Sequence, residues 1–227
     1  MRRSGFLLAP VHLKENLNVF MQTLSIHMSR YLLRRRVKQV PRSGNLVRVI
    51  IGAASTEYEG WLSTDLPILD ALNSSHWRSI FPYGSLYRIL AEHVIEHWTE
   101  EQFRLFLRTV EPYLAEQGRI RIAVPDGFHP DSSYIEYVKP GGTGAGADDH
   151  KVIYNHVSVT RILSDENYAY RLLEYFDEKG KFHRVPWDTG DGFVSRSSAF
   201  DSRNKKSPLS YTSLIVDAWP HVAGVKK

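Results

Sequence analysis

Gly118-Arg119-Ile120-Arg121-Ile122-Ala123-Val124-Pro125-Asp126 reads as the clearest buried strand of the chain, opened by glycine and closed by proline and a carboxylate. Just upstream, Thr99 and Gln102 have the spacing of a helical capping box, and Phe103, Phe106, Leu107, Val110 and Leu114 continue as a helical stripe. That helix is expected to run to Gln117 and to stop at Gly118. A helix feeding directly into a buried strand is half of a parallel βαβ unit.

The same alternation extends in both directions. Leu46 to Ile51, ended by Gly52, is rich in β-branched residues and predicts a first strand. Gly60 to Asp65 predicts a second, Ser79 to Phe81 a short third, and Tyr87 to His93 a fourth. Downstream, a helix is expected near Val157 to Leu163, then strands at Tyr170 to Phe176 and Tyr211 to Trp219. Strands alternating with helices predict an α/β fold: a mostly parallel, Rossmann-like sheet with helices on both faces and an antiparallel last strand. Ligands of such sheets bind beyond the strand carboxyl ends, so Gly52, Asp65, His93 and Asp126 should share one rim.

Composition narrows the class. The 227 residues are 42% hydrophobic and 24% charged, as in ordinary globular domains, which excludes wholesale disorder. There is no Cys, hence no disulfide framework, thiolate metal site or cysteine nucleophile, and a cytoplasmic setting is expected. The net charge of +4 is unevenly placed: residues 1–42 hold nine Lys/Arg and one acidic residue, and the rest 20 basic and 24 acidic. The chain thus divides into a basic arm, 1–42, and an α/β domain, 43–227. A nucleic-acid-binding domain would carry its basic excess on the folded body, so nucleic acid is disfavoured as a partner.

Within the arm, Leu17, Phe20, Met21, Leu24, Met28 and Leu32 predict one amphipathic helix, ending in Arg34-Arg35-Arg36-Val37-Lys38 before Pro41. Two roles fit it: packing on the domain, or weak docking on an anionic membrane surface. The run Phe6 to Val11 after Arg2 and Arg3 is too short for a signal core.

Several motifs invite chemistry. His93-Val94-Ile95-Glu96-His97 matches the H-x-x-E-H pattern of zinc hydrolases, although it starts at a strand end. Gly141 to Ala147 lacks the Gly-Lys-Ser/Thr of a phosphate loop and reads as a mobile loop. Asp148-Asp149-His150-Lys151 gathers two carboxylates, an imidazole and an amine, the make-up of a solvated turn or of a binding segment. No Gly-x-Ser-x-Gly nucleophile elbow occurs. The polar run Ser195 to Ser207 reads as an insertion before the last strand, a lid or a loop.

Taken in order, Gly52-Ala53-Ala54, Gly60-Trp61 with Asp65, Glu92-His93-Val94-Ile95-Glu96-His97, Gly118 to Asp126, and Asp148-Asp149-His150-Lys151-Val152 with Tyr154 resemble the S-adenosylmethionine-dependent methyltransferase superfamily. They are most similar to a bacterial group of methyltransferase-like proteins. The resemblance implies S-adenosylmethionine as cofactor, with Gly52 and Ala54 beneath its methionine part, Asp65 on the ribose, and Asp70 and Trp77 flanking the adenine. It implies Glu92, His93 and His150 as catalytic groups. Asp126, His129, Asp149, Lys151 and Tyr154 would line the side of a polar small-molecule or sugar acceptor, and no metal is implied. Two departures stand out. Only the first glycine of the Gly-x-Gly-x-Gly turn is kept, and seven residues separate Gly52 from Gly60, fewer than a crossover with a full helix needs. The alternatives are a catalytically inactive interaction module of the same fold and, third, a zinc hydrolase built on His93, Glu96 and His97.

Overall fold

The computed structural model describes residues 10–40, 46–205 and 209–221, with side chains from residue 19 onward. Seven strands form one sheet: β1 (Val47–Ile51), β2 (Leu62–Ser63), β3 (Leu86–Glu92), β4 (Leu114–Pro125), β5 (Tyr168–Phe176), β6 (Phe182–Arg184) and β7 (Ser213–Pro220), in the order β2-β1-β3-β4-β7-β5-β6. The first four strands are parallel. β7 runs antiparallel to both β4 and β5, and β6 is antiparallel to β5. From β1 the chain moves to β2 on one side and then returns to β3 on the other. The strand order therefore reverses between β1 and β3, where an open α/β sheet forms its ligand crevice.

Side chains alternate between the two faces of the sheet with the period of two that a pleated strand imposes. Val49, Ile51, Ile89, Ala91, Ile122, Val124, Leu214 and Val216 face one core, which α1 (Pro10–Gln39), α2 (Ser74–Ile80), α3 (Glu100–Val110) and α4 (His156–Asp165) cover with Val37, Trp77, Phe103, Phe106 and Ile162. Ile50, Leu90, Ala123, Leu173 and Ile215 face the other side, where Tyr58, Trp61, Val185, Trp187 and Val194 pack on them. Loops rather than helices supply that second layer. As the short connection requires, no helix stands between β1 and β2, and the segment from Val185 to Ser198 takes the space a first crossover helix would fill.

That segment is held by charges rising from the second face. Arg121 forms a buried bidentate pair with Asp217, at 2.7 and 2.8 Å, and donates to the carbonyls of Asp188 and Gly192 at 2.7 Å. Arg88 donates to Asp191 at 2.7 Å. The Glu174 carboxylate, fully buried, accepts from Trp187 Nε1 at 3.0 Å and from Ser198 N at 2.8 Å.

Four local expectations need correction. Ser79 to Phe81 is not a strand: α2 occupies Ser74–Ile80, because Asn73 caps it by accepting from Ser75 N and Trp77 and Ile80, one turn apart, reach the core. The capping box of Thr99 and Gln102 forms as expected, but α3 stops at Val110. Pro112 turns the chain through Glu111–Tyr113, and Leu114 already pairs with Leu86 in the sheet. Gly141 to Ala147 is a packed turn, with Gly141 N, Gly142 N and Gly144 N donating to the carbonyls of Ala147, Lys139 and Tyr137. In the arm, Leu33 and Val37 face the domain while Phe20, Leu24, Met28 and Leu32 are 62%, 50%, 54% and 50% exposed. Arg30 anchors this helix through the carbonyls of Pro67 and Ile68. The stop expected at Pro41 and the run Phe6 to Ala9 lie outside the described residues.

Candidate functional site

Two adjoining cavities open over the carboxyl ends of β1 and β3, one of about 400 Å³ and one of about 470 Å³. Gly52, His93 and His97 line both. Each is within the size range of small-molecule sites.

The larger cavity is bordered by Asp65, Leu66, Leu69, Asp70, Ala71 and Leu72. Asp65 stands just past Thr64 at the end of β2, where its Oδ2 accepts from Ala54 N and its Oδ1 from Leu66 N, both at 2.7 Å. Each carboxylate oxygen can accept a further hydrogen bond. Asp70 steadies the next loop by accepting from Leu72 N at 2.9 Å. Trp77 does not border the cavity. It is fully buried below, and its Nε1 donates to Ala71 O at 2.9 Å, so it supports the floor rather than flanking a ligand. Gly52 has φ +58, and a Cβ there would come within 2.6 Å of Val94 Cγ2. The left-handed backbone and the close Val94 side chain together require glycine at this point. Ala54, with φ 45, takes the left-handed region without that freedom, held by the Asp65 carboxylate.

The smaller cavity is polar and includes Glu92, His93, His97, His150, Tyr137, Tyr211, Arg196 and Arg203. Glu92 is committed: Oε1 accepts from Ser195 Oγ at 2.7 Å and Arg196 N at 2.9 Å, and Oε2 from Ser195 N at 3.2 Å. It therefore fixes the backbone that brings Arg196 to the cavity. His93 is anchored through Nε2. Ser213 Oγ donates to Arg196 O, so it accepts from His93 Nε2 at 3.0 Å, while Nδ1 lies 3.1 Å from Glu96 Oε1. Arg203 pairs with both oxygens of Asp201 and stacks over Tyr211, 3.3 Å from the ring centre. His150 Nδ1 bonds to Val138 O at 2.7 Å, which assigns the proton to Nδ1 and leaves Nε2 as an acceptor.

The remaining expected site residues are distributed differently. Asp149 and Lys151 line the larger cavity, not the smaller. Asp126 lines neither. It is fully buried and accepts from Phe128 N at 2.9 Å and Phe176 N at 2.7 Å, joining β4 to the end of β5; burial pushes its carboxyl up to about 6. His129 is buried against Tyr134, with ring centres 3.9 Å apart, and bonds to Leu209 O; burial lowers its pKa. Tyr154 lies in the core, edge-on to Phe103, and burial raises its phenol well above the usual range. His93, Glu96 and His97 do not share a helical face, because Ile95–His97 is a single tight turn after β3, and the zinc-hydrolase spacing loses its meaning there.

Arg196, Arg203, Tyr137 and Tyr211 reach the smaller cavity without having stood out in the sequence. The two arginines sit in the polar run ahead of the last strand, and cations inside an insertion so close to a β-strand were the available signal.

No protein-family model matches the chain, and no curated protein matches it. Among solved structures it is similar to a SAM-dependent methyltransferase from Archaeoglobus fulgidus, at 18% identity and TM-score 0.44, over 88% of this chain and 97% of that one. It is also similar to the magnesium protoporphyrin IX methyltransferase of Synechocystis PCC 6803 with bound SAH, at 11% identity and TM-score 0.40, over 85% of this chain and 84% of that one. Both are methyltransferases.

Proposed function

We propose that this protein is an S-adenosylmethionine-dependent methyltransferase acting on a polar small-molecule acceptor. The observation that carries the reading is the pair of cavities meeting at Gly52 and His93 over the strand-order reversal, with the Asp65 carboxylate in one and a histidine- and arginine-lined chamber in the other. S-adenosylmethionine supplies a methyl group on a positively charged sulfur, reactive toward a nucleophile held in line with the departing bond. The residues of the larger cavity fit it. Asp65 keeps two acceptor sites for ribose hydroxyls, Gly52 lines the wall that both cavities share, and the Asp70 to Leu72 loop forms a floor for a planar base.

On the acceptor side, Arg196 and Arg203 favour a substrate with oxyanion or hydroxyl groups. Glu92 acts as a positioning residue for Arg196, and His150 presents its free Nε2 to the acceptor. Most of the rate enhancement would come from alignment across the shared Gly52–His93 wall. Calorimetric titration with S-adenosylhomocysteine tests the reading: saturable binding supports it, and no heat up to millimolar ligand removes it.

The exposed stripe of Phe20, Leu24, Met28 and Leu32 is followed by exposed Arg34, Arg35, Arg36 and Lys38, and no acidic residue occurs from Asn16 to Thr56. This combination favours an anionic lipid surface as the docking partner of α1. Among the described residues no helix is long and apolar enough to cross a membrane.

A further inference from the structure

We infer that Glu96, His97 and His150 form a binding site for a divalent first-row transition-metal ion at the wall between the two cavities. The three residues each offer a ligand atom, and these atoms lie within 4.8 Å of one another. Backbone bonds hold the contributing segments together: Lys151 N and Val152 N both donate to Glu96 O, at 2.8 and 3.3 Å.

Two independent features make the cluster a ligand set. The first is Glu96 itself. It is 1% exposed, and neither carboxylate oxygen has a hydrogen-bond partner. His93 Nδ1, 3.1 Å from Oε1, makes no hydrogen bond to it. A carboxylate removed from water is strongly disfavoured unless it is paired, hydrogen-bonded or coordinated to a cation. The second is the state of the histidines. His150 Nδ1 is committed to Val138 O, and His97 Nδ1 faces Asp149 Oδ2 at 3.2 Å. In both rings Nε2 is thereby left as the lone-pair nitrogen. A carbonyl or carboxylate behind the imidazole is the usual way of orienting a metal-binding histidine and raising its basicity.

Two imidazoles with one carboxylate suit zinc and its first-row neighbours, and such three-ligand sites keep a position open. Calcium and magnesium prefer all-oxygen sets. A tetrahedral ion with bonds of about 2.1 Å places its ligand atoms roughly 3.4 Å apart. The groups would therefore close by little more than an ångström, through side-chain rotation of His97 and His150, which are only partly buried. The role of the ion, though not its binding, rests on the methyl-transfer reading. From this wall it would take an oxygen of the acceptor into its open position. A coordinated hydroxyl releases its proton more readily, here to solvent, and the resulting oxyanion would face the methyl donor. His150 then serves as a ligand rather than as a base.

Tag-free protein, stripped with a chelator and dialysed, would be titrated with Zn²⁺ by calorimetry and with Co²⁺ by visible absorption. One equivalent should bind at micromolar or tighter affinity, weakened at least tenfold in Glu96→Gln, His97→Gln and His150→Gln, with the Co²⁺ spectrum changed in each. Melting curves recorded in chelator check the folding of the variants. His97 is only partly buried, so H97Q keeps the test valid if E96Q unfolds. Absence of binding below millimolar metal, or affinities indifferent to H97Q and H150Q, overturns the site. Titration with S-adenosylhomocysteine in parallel separates the two readings: loss of cofactor binding with intact metal binding removes the role and leaves the site.

Discussion

Replacing Asp65 by Asn tests the cofactor reading at its most specific point. The carboxylate accepts from Ala54 N and Leu66 N at 2.7 Å each, one per oxygen, and retains one acceptor position per oxygen for a ligand hydroxyl. Asparagine keeps one acceptor oxygen and turns a donor toward the other backbone N–H. In the free protein one short hydrogen bond is lost, at a cost of about 1 kcal/mol. For a chain of this size that lowers the melting temperature by roughly 2–4 °C. In the complex one charge-assisted bond to the ribose disappears and the other loses its charge. Such bonds contribute about 1.5–3 kcal/mol each, so a total loss of about 2–3 kcal/mol is expected, or roughly 30- to 150-fold in Kd. The assay is calorimetric titration of wild type and D65N with S-adenosylhomocysteine, alongside melts without ligand. A Kd within threefold of wild type, accompanied by the expected fall in melting temperature, would refute the assignment of Asp65 to the ribose and leave it a purely structural residue.

Three further outcomes are expected. Arg121→Met leaves Asp217 buried without its partner and should cost about 3–5 kcal/mol in urea unfolding, whereas the R121M/D217L double variant should recover part of that loss; strictly additive losses would contradict the pairing. Burial raises Asp126 from the ordinary 3.8 to about 6, so the folded protein holds a proton that the unfolded chain releases across this window. Stability should then fall as pH rises from about 4 to 6, by up to about 3 kcal/mol, and D126N should flatten that part of the pH profile. In co-sedimentation with phosphatidylserine-containing vesicles, wild type should bind at low salt and an L24S/M28S variant should bind several-fold less; equal binding of the two would dismiss the apolar stripe as a docking face.

The parts of the fold legible in the sequence are those governed by nearest neighbours along the chain. The alternation in Val47 to Ile51 and Ile120 to Val124, the capping box at Thr99 and Gln102, and the shortness of the Gly52 to Gly60 connection depend on local periodicity, local hydrogen bonding and reach. The placement of Gly52, Asp65 and His93 on one rim followed from the same logic, since parallel strands bring their carboxyl ends to one edge. Failures began where a short apolar stretch fitted two periods. Ser79 to Phe81 is strand-like in isolation, yet Trp77 and Ile80 settle it as helix because both find the core.

What local pattern could not supply was direction and partnership at long range. Asp126 and Asp65 look alike as carboxylates at strand ends. One turns inward to meet Phe176 N, 50 residues away, and the other stays at the cleft. The segment from Val185 to Ser198 owes its position to Arg88, Arg121 and Glu174, and Arg121 meets Asp217 across 96 residues. Glu96, His97 and His150 likewise converge only because the turn after β3 and the segment after the Gly-rich turn are stitched together. By itself, the sequence determined the sheet, its rim and the residue types available there, because those follow from the period of a strand and the stiffness of a backbone. Only the tertiary structure decided which of the rim's polar groups face a ligand and which hold the protein together. A buried charge must find its partner wherever the fold brings one, and that choice is made by packing.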